Sequence, residues 1–216
     1  MIRSHEVLGV EYGVADASDL DEMAWLLAVV FSQYDPPAVA TGLTPAEFEE
    51  FVRLSCPGAA ADGLTIVGRS ADTGEMVGAL LTEDSAAPPP SGIERLSRKF
   101  DPIVDILGQL DAEYRQGKAV PPGEWLHLFL LGVAPAFGGR RVAQGLVAAC
   151  LENGARKGYR IAVTEATNSV SQHIFRKHGF VDRVQRSYRD HRYGGRAFFA
   201  SIEGHIGPIL MDRGLA

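Results

Sequence analysis

The sequence predicts one α/β domain built around a mixed sheet. Three observations carry this prediction. Short apolar, strand-like runs are interspersed with segments whose apolar residues recur at helical spacing, in the order β, two helices, a hairpin, a helix, β, helix, β, helix and a second hairpin. The 216 residues, 46% of them hydrophobic, are enough for one sizeable core. Finally, Leu126 to Phe180 reads as a buried strand, a tight turn, a helix, a second strand and a second helix.

Val7 to Val14 is the first expected strand. Ser18, with Asp21 three residues on, resembles a capping box and opens a helix. Leu20, Met23, Ala24, Leu27, Val30 and Phe31 fall on one face of that helix, and Tyr34-Asp35-Pro36-Pro37 stops it. A shorter helix runs from Pro45 to Leu54 and is expected to end at Cys56-Pro57-Gly58. Leu64 to Gly68 and Met76 to Thr82 form a hairpin about Asp72-Thr73-Gly74. Ala86 to Ser91, with three prolines, is a loop, and Asp101-Pro102 opens a helix with Ile103, Ile106, Leu107, Leu110 and Tyr114 on one face. Beyond Phe180, Val181 to Tyr188 and Arg196 to Ile202 are expected to form a second hairpin across Tyr193-Gly194-Gly195.

Net charge and cysteine usage narrow the function classes. A formal charge of −6 argues against nonspecific nucleic-acid binding and is compatible with a cationic substrate. Cys56 and Cys150, the two cysteines, are too far apart in sequence for a metal-ligand pattern or a disulfide framework, and read as buried thiols. No secretory apolar region follows Met1 and no apolar run reaches about 18 residues. The expectation is a cytoplasmic protein with no membrane partner and no metal.

The chemistry concentrates after Leu126. The run Leu128 to Val133 enters a turn holding Pro135, Gly138 and Gly139, which leads straight into a helix with Arg140 and Arg141 at its start. A helix N-terminus after such a turn aims unpaired N–H groups at one point and suits a phosphate or pyrophosphate. An ordinary strand–helix connection carries the same glycines, so the turn alone does not decide.

Combined with the residues downstream of the turn, the pattern is specific. Val133-x-Pro135-x-Phe137-x-Gly139, the helix through Leu151, a strand, Asn168-x-x-Ser171 and Gly179-Phe180 resemble the GNAT superfamily of acyl-CoA-dependent N-acyltransferases over about residues 126–181. Asp35-Pro36 and the pair Thr167 and Ser171 are similar to the arylalkylamine N-acetyltransferase branch. The resemblance implies a mostly antiparallel sheet with a splayed strand pair, helices on both faces, acetyl-CoA as donor, a small-molecule amine as acceptor and, as in many members, a homodimer. It implies that Leu131 and Val133 offer main-chain groups to the pantetheine arm and that Asn168 and Ser171 lie near the thioester. The pyrophosphate would sit on the N–H groups of Gly138, Gly139, Arg140, Arg141, Val142 and Ala143. The turn departs from the family pattern: Gly138 stands where Gln or Arg is usual and Arg141 where Gly is usual, with Arg140 and Arg141 able to compensate by charge.

Acetyl transfer needs a base for the amine proton, a donor for the thioester oxygen and, usefully, an acid for the leaving thiolate. Asp35 and His127 are the two candidate bases, and Glu124 a third through water. Each also has a plain structural reading, Asp35 as a helix terminator and His127 as a bonded strand histidine. Ser171 is read as an active-site hydroxyl beside Asn168, which caps the helix, although it could equally share the cap. Where the family commonly places an acidic tyrosine, four residues before Gly179, this chain has Phe175. Ser171 or Tyr188 would have to replace it, or the thiolate leaves unaided. No cysteine sits at a motif position, so direct attack in a ternary complex is expected. The alternatives are a non-catalytic CoA-binding module, or the same chemistry on a protein N-terminus, polyamine or aminoglycoside. The acceptor cleft is expected among Asp35 to Gly42, Ala86 to Ser91 and the C-terminal hairpin.

Overall fold

The computed structural model describes residues 5–215. Eight strands form one sheet in the order β1-β2-β3-β4-β5-β6-β8-β7. They are β1 (His5–Val7), β2 (Val10–Val14), β3 (Ile66–Ser70), β4 (Met76–Asp84), β5 (Trp125–Val133), β6 (Ile161–Ala166), β7 (Val181–Gln185) and β8 (Ile209–Gly214). All neighbours are antiparallel except β5 and β6. Six helices accompany them: α1 (Leu20–Tyr34), α2 (Pro36–Thr41), α3 (Pro45–Ala61), α4 (Asp101–Arg115), α5 (Val142–Arg156) and α6 (Ser169–Lys177). Among the described residues, no helix is long and apolar enough to cross a membrane.

β5 divides the core, because an irregularity between Leu128 and Leu130 switches which face its side chains point to. Leu126 and Leu128 pack with Leu146, Val147 and Cys150 of α5 on one face. Leu130 packs with Leu27 of α1 and Val52 of α3 on the other. Gly132 permits the close approach of α1, because a Cβ there would sit 2.7 Å from Leu27 Cδ2. Cys56 and Cys150 are buried free thiols, and burial pushes both up to about 12.

The parallel pair is the departure that matters most. β5 and β6 are in register only from Trp125 to His127 against Ile161 to Val163. Beyond that point β6 continues its pairing with β8 up to Ala166, while β5 turns away. The two strands form a V with one edge of β5 facing its opening. Phe129 has no partner residue on β4, since Leu81 pairs with Leu130 and Thr82 with Leu128. This bulge bends β5 at the point where it leaves β6.

Several elements differ from the sequence-based expectation. A turn at Leu8 and Gly9, both at positive φ, splits the first strand in two. Ser18 does not cap α1: its Oγ donates to Asp16 Oδ1 at 2.6 Å, and Asp19 is the N-cap residue. Asp19 makes no cap bond, because Arg69 and the Asp16 N–H occupy its carboxylate. Pro36-Pro37 ends α1 as expected but also starts α2, since proline suits the first helical turn. α3 runs through Pro57 to Ala61, anchored by Val52 and Cys56 against α1. The expected hairpin of Val181 to Tyr188 with Arg196 to Ile202 does not form. β7 pairs with β8, and the intervening segment folds over α4, where Tyr188 and Phe199 pack on Ile106.

Candidate active site

A cavity of about 1130 Å3 opens where β5 and β6 part. Its floor is β5 and β6, and its walls come from α1, α3, α4 and the segment around Ile93 to Asp101. One wall is aromatic: Phe31, Phe48, Phe51, Phe100 and Phe129 contact one another in sequence, with centroids 5.0–5.7 Å apart. The expected Ala86 to Ser91 loop does not line it, and the Ile93 to Asp101 segment takes that place.

Asp35 sits at one end of the cavity, held by two helices. It follows the last residue of α1 and is the N-cap of α2, its Oδ2 accepting from the Ala38 N–H at 3.3 Å. Thr167 Oγ1 donates to its other oxygen at 2.5 Å. The side chain is buried, and burial pushes its carboxyl up to about 6 against the opposing pull of these two hydrogen bonds. That value places a carboxylate base near neutrality.

His127 lies on the floor in a different electrostatic state. Its Nδ1 is 2.9 Å from Glu83 Oε1 and its Nε2 is 2.7 Å from Glu165 Oε2. The three side chains form a row across β4, β5 and β6. Burial disfavours the charged imidazole, but the Glu165 and Glu83 carboxylates outweigh it and hold His127 well above the usual histidine range. Glu165 is pulled the other way: burial raises it, the imidazolium lowers it, and the net direction is down. A histidine held as a donor to two carboxylates has no lone pair to accept a proton. Among the described residues, no group of three or more His, Cys, Asp or Glu side chains is arranged to hold a metal.

Asn168 and Ser171 form a reciprocal cap on α6. Asn168 Oδ1 accepts from the Ser171 N–H at 2.9 Å, Ser171 Oγ accepts from the Asn168 N–H at 3.4 Å, and the same hydroxyl donates to Asn168 O at 2.9 Å. Both face the cavity, as does Leu131. Phe175 is buried against Phe180 and brings no proton. Tyr188 does not supply one either: its buried hydroxyl donates to Thr167 O at 2.7 Å, which orients the residue that bonds Asp35. Glu124 lies outside the cavity, its side chain 4.0 Å from Arg160.

The remaining expected ligands lie away from the cavity. Val133 packs on the α5 face, and Gly138 to Ala143 form the turn and first residues of α5. The helical ladder begins with Gly145 N donating to Arg141 O, so the N–H groups of Val142, Ala143 and Gln144 precede it. Arg141 adopts φ +63, and Gly139 φ +75. Arg141 thus keeps the left-handed backbone that explains the usual glycine, at a cost of about 1–2 kcal/mol. Gly138 to Arg141 are exposed, with the Arg140 guanidinium over the Phe137 ring at 5.0 Å. These residues fit a pyrophosphate: first-turn N–H groups, two cations and no carboxylate in the turn.

Glu83, Glu165 and the aromatic wall escape a reading of the sequence alone. The signal present is Glu83 and Asp84 at the end of the otherwise buried strand Met76–Asp84 and Glu165 within the mostly buried strand Ile161–Ala166. Nothing in the linear sequence marks those glutamates as neighbours of His127.

Comparison with known proteins agrees with this architecture. The Acetyltransferase (GNAT) family matches residues 63–180. Among solved structures, the C-terminal condensation domain of Ebony, in complex with beta-alanyl-dopamine, superposes with TM-score 0.88 at 13% identity, covering 96% of this chain and 100% of that one. Arylalkylamine N-acetyltransferase 2 from Aedes aegypti superposes with TM-score 0.78 at 18% identity, covering 96% and 99%. The Drosophila melanogaster polyamine N-acetyltransferase, which forms N-acetylagmatine, superposes with TM-score 0.75 at 18% identity, covering 95% and 99%. With more than half its length matched and the splayed β5–β6 pair in place, the chain belongs to the Acetyltransferase (GNAT) family of acyl-CoA-dependent N-acyltransferases.

Proposed function

We propose that the protein transfers an acetyl group from acetyl-CoA to the primary amine of a small molecule, by direct attack in a ternary complex. The observation that carries this reading is Asp35, a buried carboxylate pushed up to about 6 in the cavity that opens at the free edge of β5. Acetyl-CoA supplies the activated acyl carbon. Leu131 and Val133 offer main-chain groups along β5, and Gly138 to Ala143 hold the pyrophosphate. Asp35 accepts the proton the acceptor ammonium must lose before its nitrogen can attack. Thr167 keeps the Asp35 carboxylate turned to the cavity, and Tyr188 holds Thr167. His127, held well above the usual histidine range by two glutamates, is poorly suited to take the proton. Ser171, which lines the cavity, meets the leaving sulfur only by turning its hydroxyl away from Asn168 O. A thiolate with a reference pKa of ~8.5 also departs without an acid, so Phe175 is tolerated.

A thermal melt with acetyl-CoA, read beside free-thiol release over an amine panel, tests the reading. Saturation at about a hundred times Kd adds roughly 2.7 kcal/mol and should raise Tm by about 5–10 °C. Stabilisation followed by thiol release on adding an amine supports the enzyme. Stabilisation with no release from any amine favours a binding module. Charge reversal at both Arg140 and Arg141 is expected to weaken acetyl-CoA binding about 10- to 100-fold, as loss of charge-assisted phosphate contacts should. Unchanged affinity in a titration would remove the pyrophosphate from this turn.

A further inference from the structure

We infer that Glu83 and Glu165 select an acceptor that carries a second positive charge, an alkyl diamine or a guanidino-amine, and hold that distal cation on the cavity floor. The inference rests on the amine-acceptor reading above and narrows its substrate class.

Charge is unbalanced in the row on the floor. Glu83 and Glu165 flank one imidazole, and each gives it one oxygen. Even with His127 fully protonated, two carboxylates against one cation leave one negative charge in excess. Among the described residues, no lysine or arginine forms an ion pair with either glutamate. Arg115, the nearby cation on the wall, acts on Glu165 only at a distance, and its own partners are Asp111 at 2.5 Å and Ser85 O at 3.2 Å, so Asp111 already balances its charge. An excess charge in a partly dehydrated cavity is costly unless something pairs with it. The Glu83 side chain is 33% exposed, so the row is reachable from the cavity and not sealed in the core.

Spacing then sets the ligand. Thr167, which bonds Asp35, lies two residues beyond Glu165, just past the end of β6, and both line the cavity. Two residues of strand span about 7 Å, roughly the length of a diamine with a spacer of about five methylenes. One nitrogen would then lie at Asp35 and the other at the glutamate row, with the methylenes along the aromatic wall. A monoamine of equal length would leave the row uncompensated.

The test compares 1,5-diaminopentane with pentylamine, titrated calorimetrically into the full chain at neutral pH without acyl donor. The diamine is expected to bind about 10- to 100-fold more tightly, the value of one charge-assisted hydrogen-bonded pair. Glu83→Gln and Glu165→Gln should each reduce that ratio severalfold, with the melting curve confirming that each variant folds. Equal affinity of the two amines for the unmodified protein overturns the proposal, as does failure to bind either. A diamine preference that survives in both variants also overturns it, because another acidic group would then be responsible. Tight diamine binding without acetylation would leave this inference standing and remove the transferase assignment instead.

Discussion

Asp35→Asn is expected to lower kcat by about 10²–10⁴-fold, the usual contribution of a positioned proton acceptor. Asparagine suits the architecture of the site. Its Oδ1 can keep the cap bond to the Ala38 N–H, and its amide can donate to Thr167 Oγ1, since a hydroxyl both donates and accepts. The loss would therefore report the proton and not a collapsed helix junction. The pH profile depends on the same group. The carboxylate is the active form, so kcat/KM should fall about tenfold per pH unit below about 6, the position to which burial has pushed Asp35. That limb should vanish in the variant. If Asp35→Asn retains full turnover, another group is the base.

The stability of the same variant should change in the opposite sense. The folded-state carboxyl is raised from 3.8 to about 6, so the folded protein binds the extra proton between those values. Stability from this group is therefore highest at low pH and is lost as pH rises through that window. Above it, the ionised Asp35 costs as much as ~3 kcal/mol. Asp35→Asn removes that cost and should raise the urea midpoint at pH 8 while flattening its dependence between pH 4 and 6. A variant less stable than the parent at pH 8 would mean that the ionised carboxylate is well solvated in place. The unfavourable burial is then what keeps this carboxylate near the amine's working range, an example of stability given up for function.

Gly207→Ala is the substitution expected to damage the fold most directly. A Cβ at this position would sit 1.8 Å from Arg186 O, with the Arg186 carbonyl carbon at 2.8 Å and Ser187 Cα at 3.2 Å. All three are backbone atoms, so no rotamer change relieves the contact. The segments flanking it are locked by Arg186 N donating to Pro208 O at 3.1 Å and Tyr188 N to Ile206 O at 2.9 Å. Forcing them apart should cost about 2–4 kcal/mol, or roughly 10 °C in Tm. Gly214→Ala is the control: a Cβ there meets nothing within 4 Å, and the effect should stay within ~0.5 kcal/mol. Activity should fall along with stability in Gly207→Ala, because displacing Tyr188 releases the Thr167 carbonyl and with it the hydroxyl that orients Asp35. Normal stability would show that the two segments have room to separate.

The segment from Leu126 to Gly179 is legible because its information is local. A strand, a Pro-Gly turn, an amphipathic helix, a second strand and a helix capped by Asn168 each follow from residues within a few positions of one another, and all five elements lie where the pattern puts them. Asp35 at a helix end can likewise be placed from Tyr34-Asp35-Pro36-Pro37, although α2 cannot, since the same prolines that stop one helix can begin another. The elements that differ are decided by distant partners. The C-terminal hairpin is sound on alternation and a Gly-Gly turn, yet β8 outcompetes Arg196 to Ile202 for β7, while Phe199 and Tyr188 find a better burial site on α4. Ser18 and Asp21 have capping spacing, but Asp16 and Arg69 draw the local hydrogen bonds elsewhere.

The sequence by itself determined the family and the order of the central elements, because turn chemistry and periodicity act over short distances. Only the tertiary structure decided the charge states. His127 and Asp35 are alike as candidate bases while their neighbours are unknown. Bringing Glu83 and Glu165 from two other strands to the same imidazole holds it well above the usual histidine range, and closing α1, α2 and Thr167 around Asp35 raises its carboxyl toward neutrality. Electrostatic environment depends on distances between residues 38 to 132 positions apart, and those distances exist only once the chain has folded.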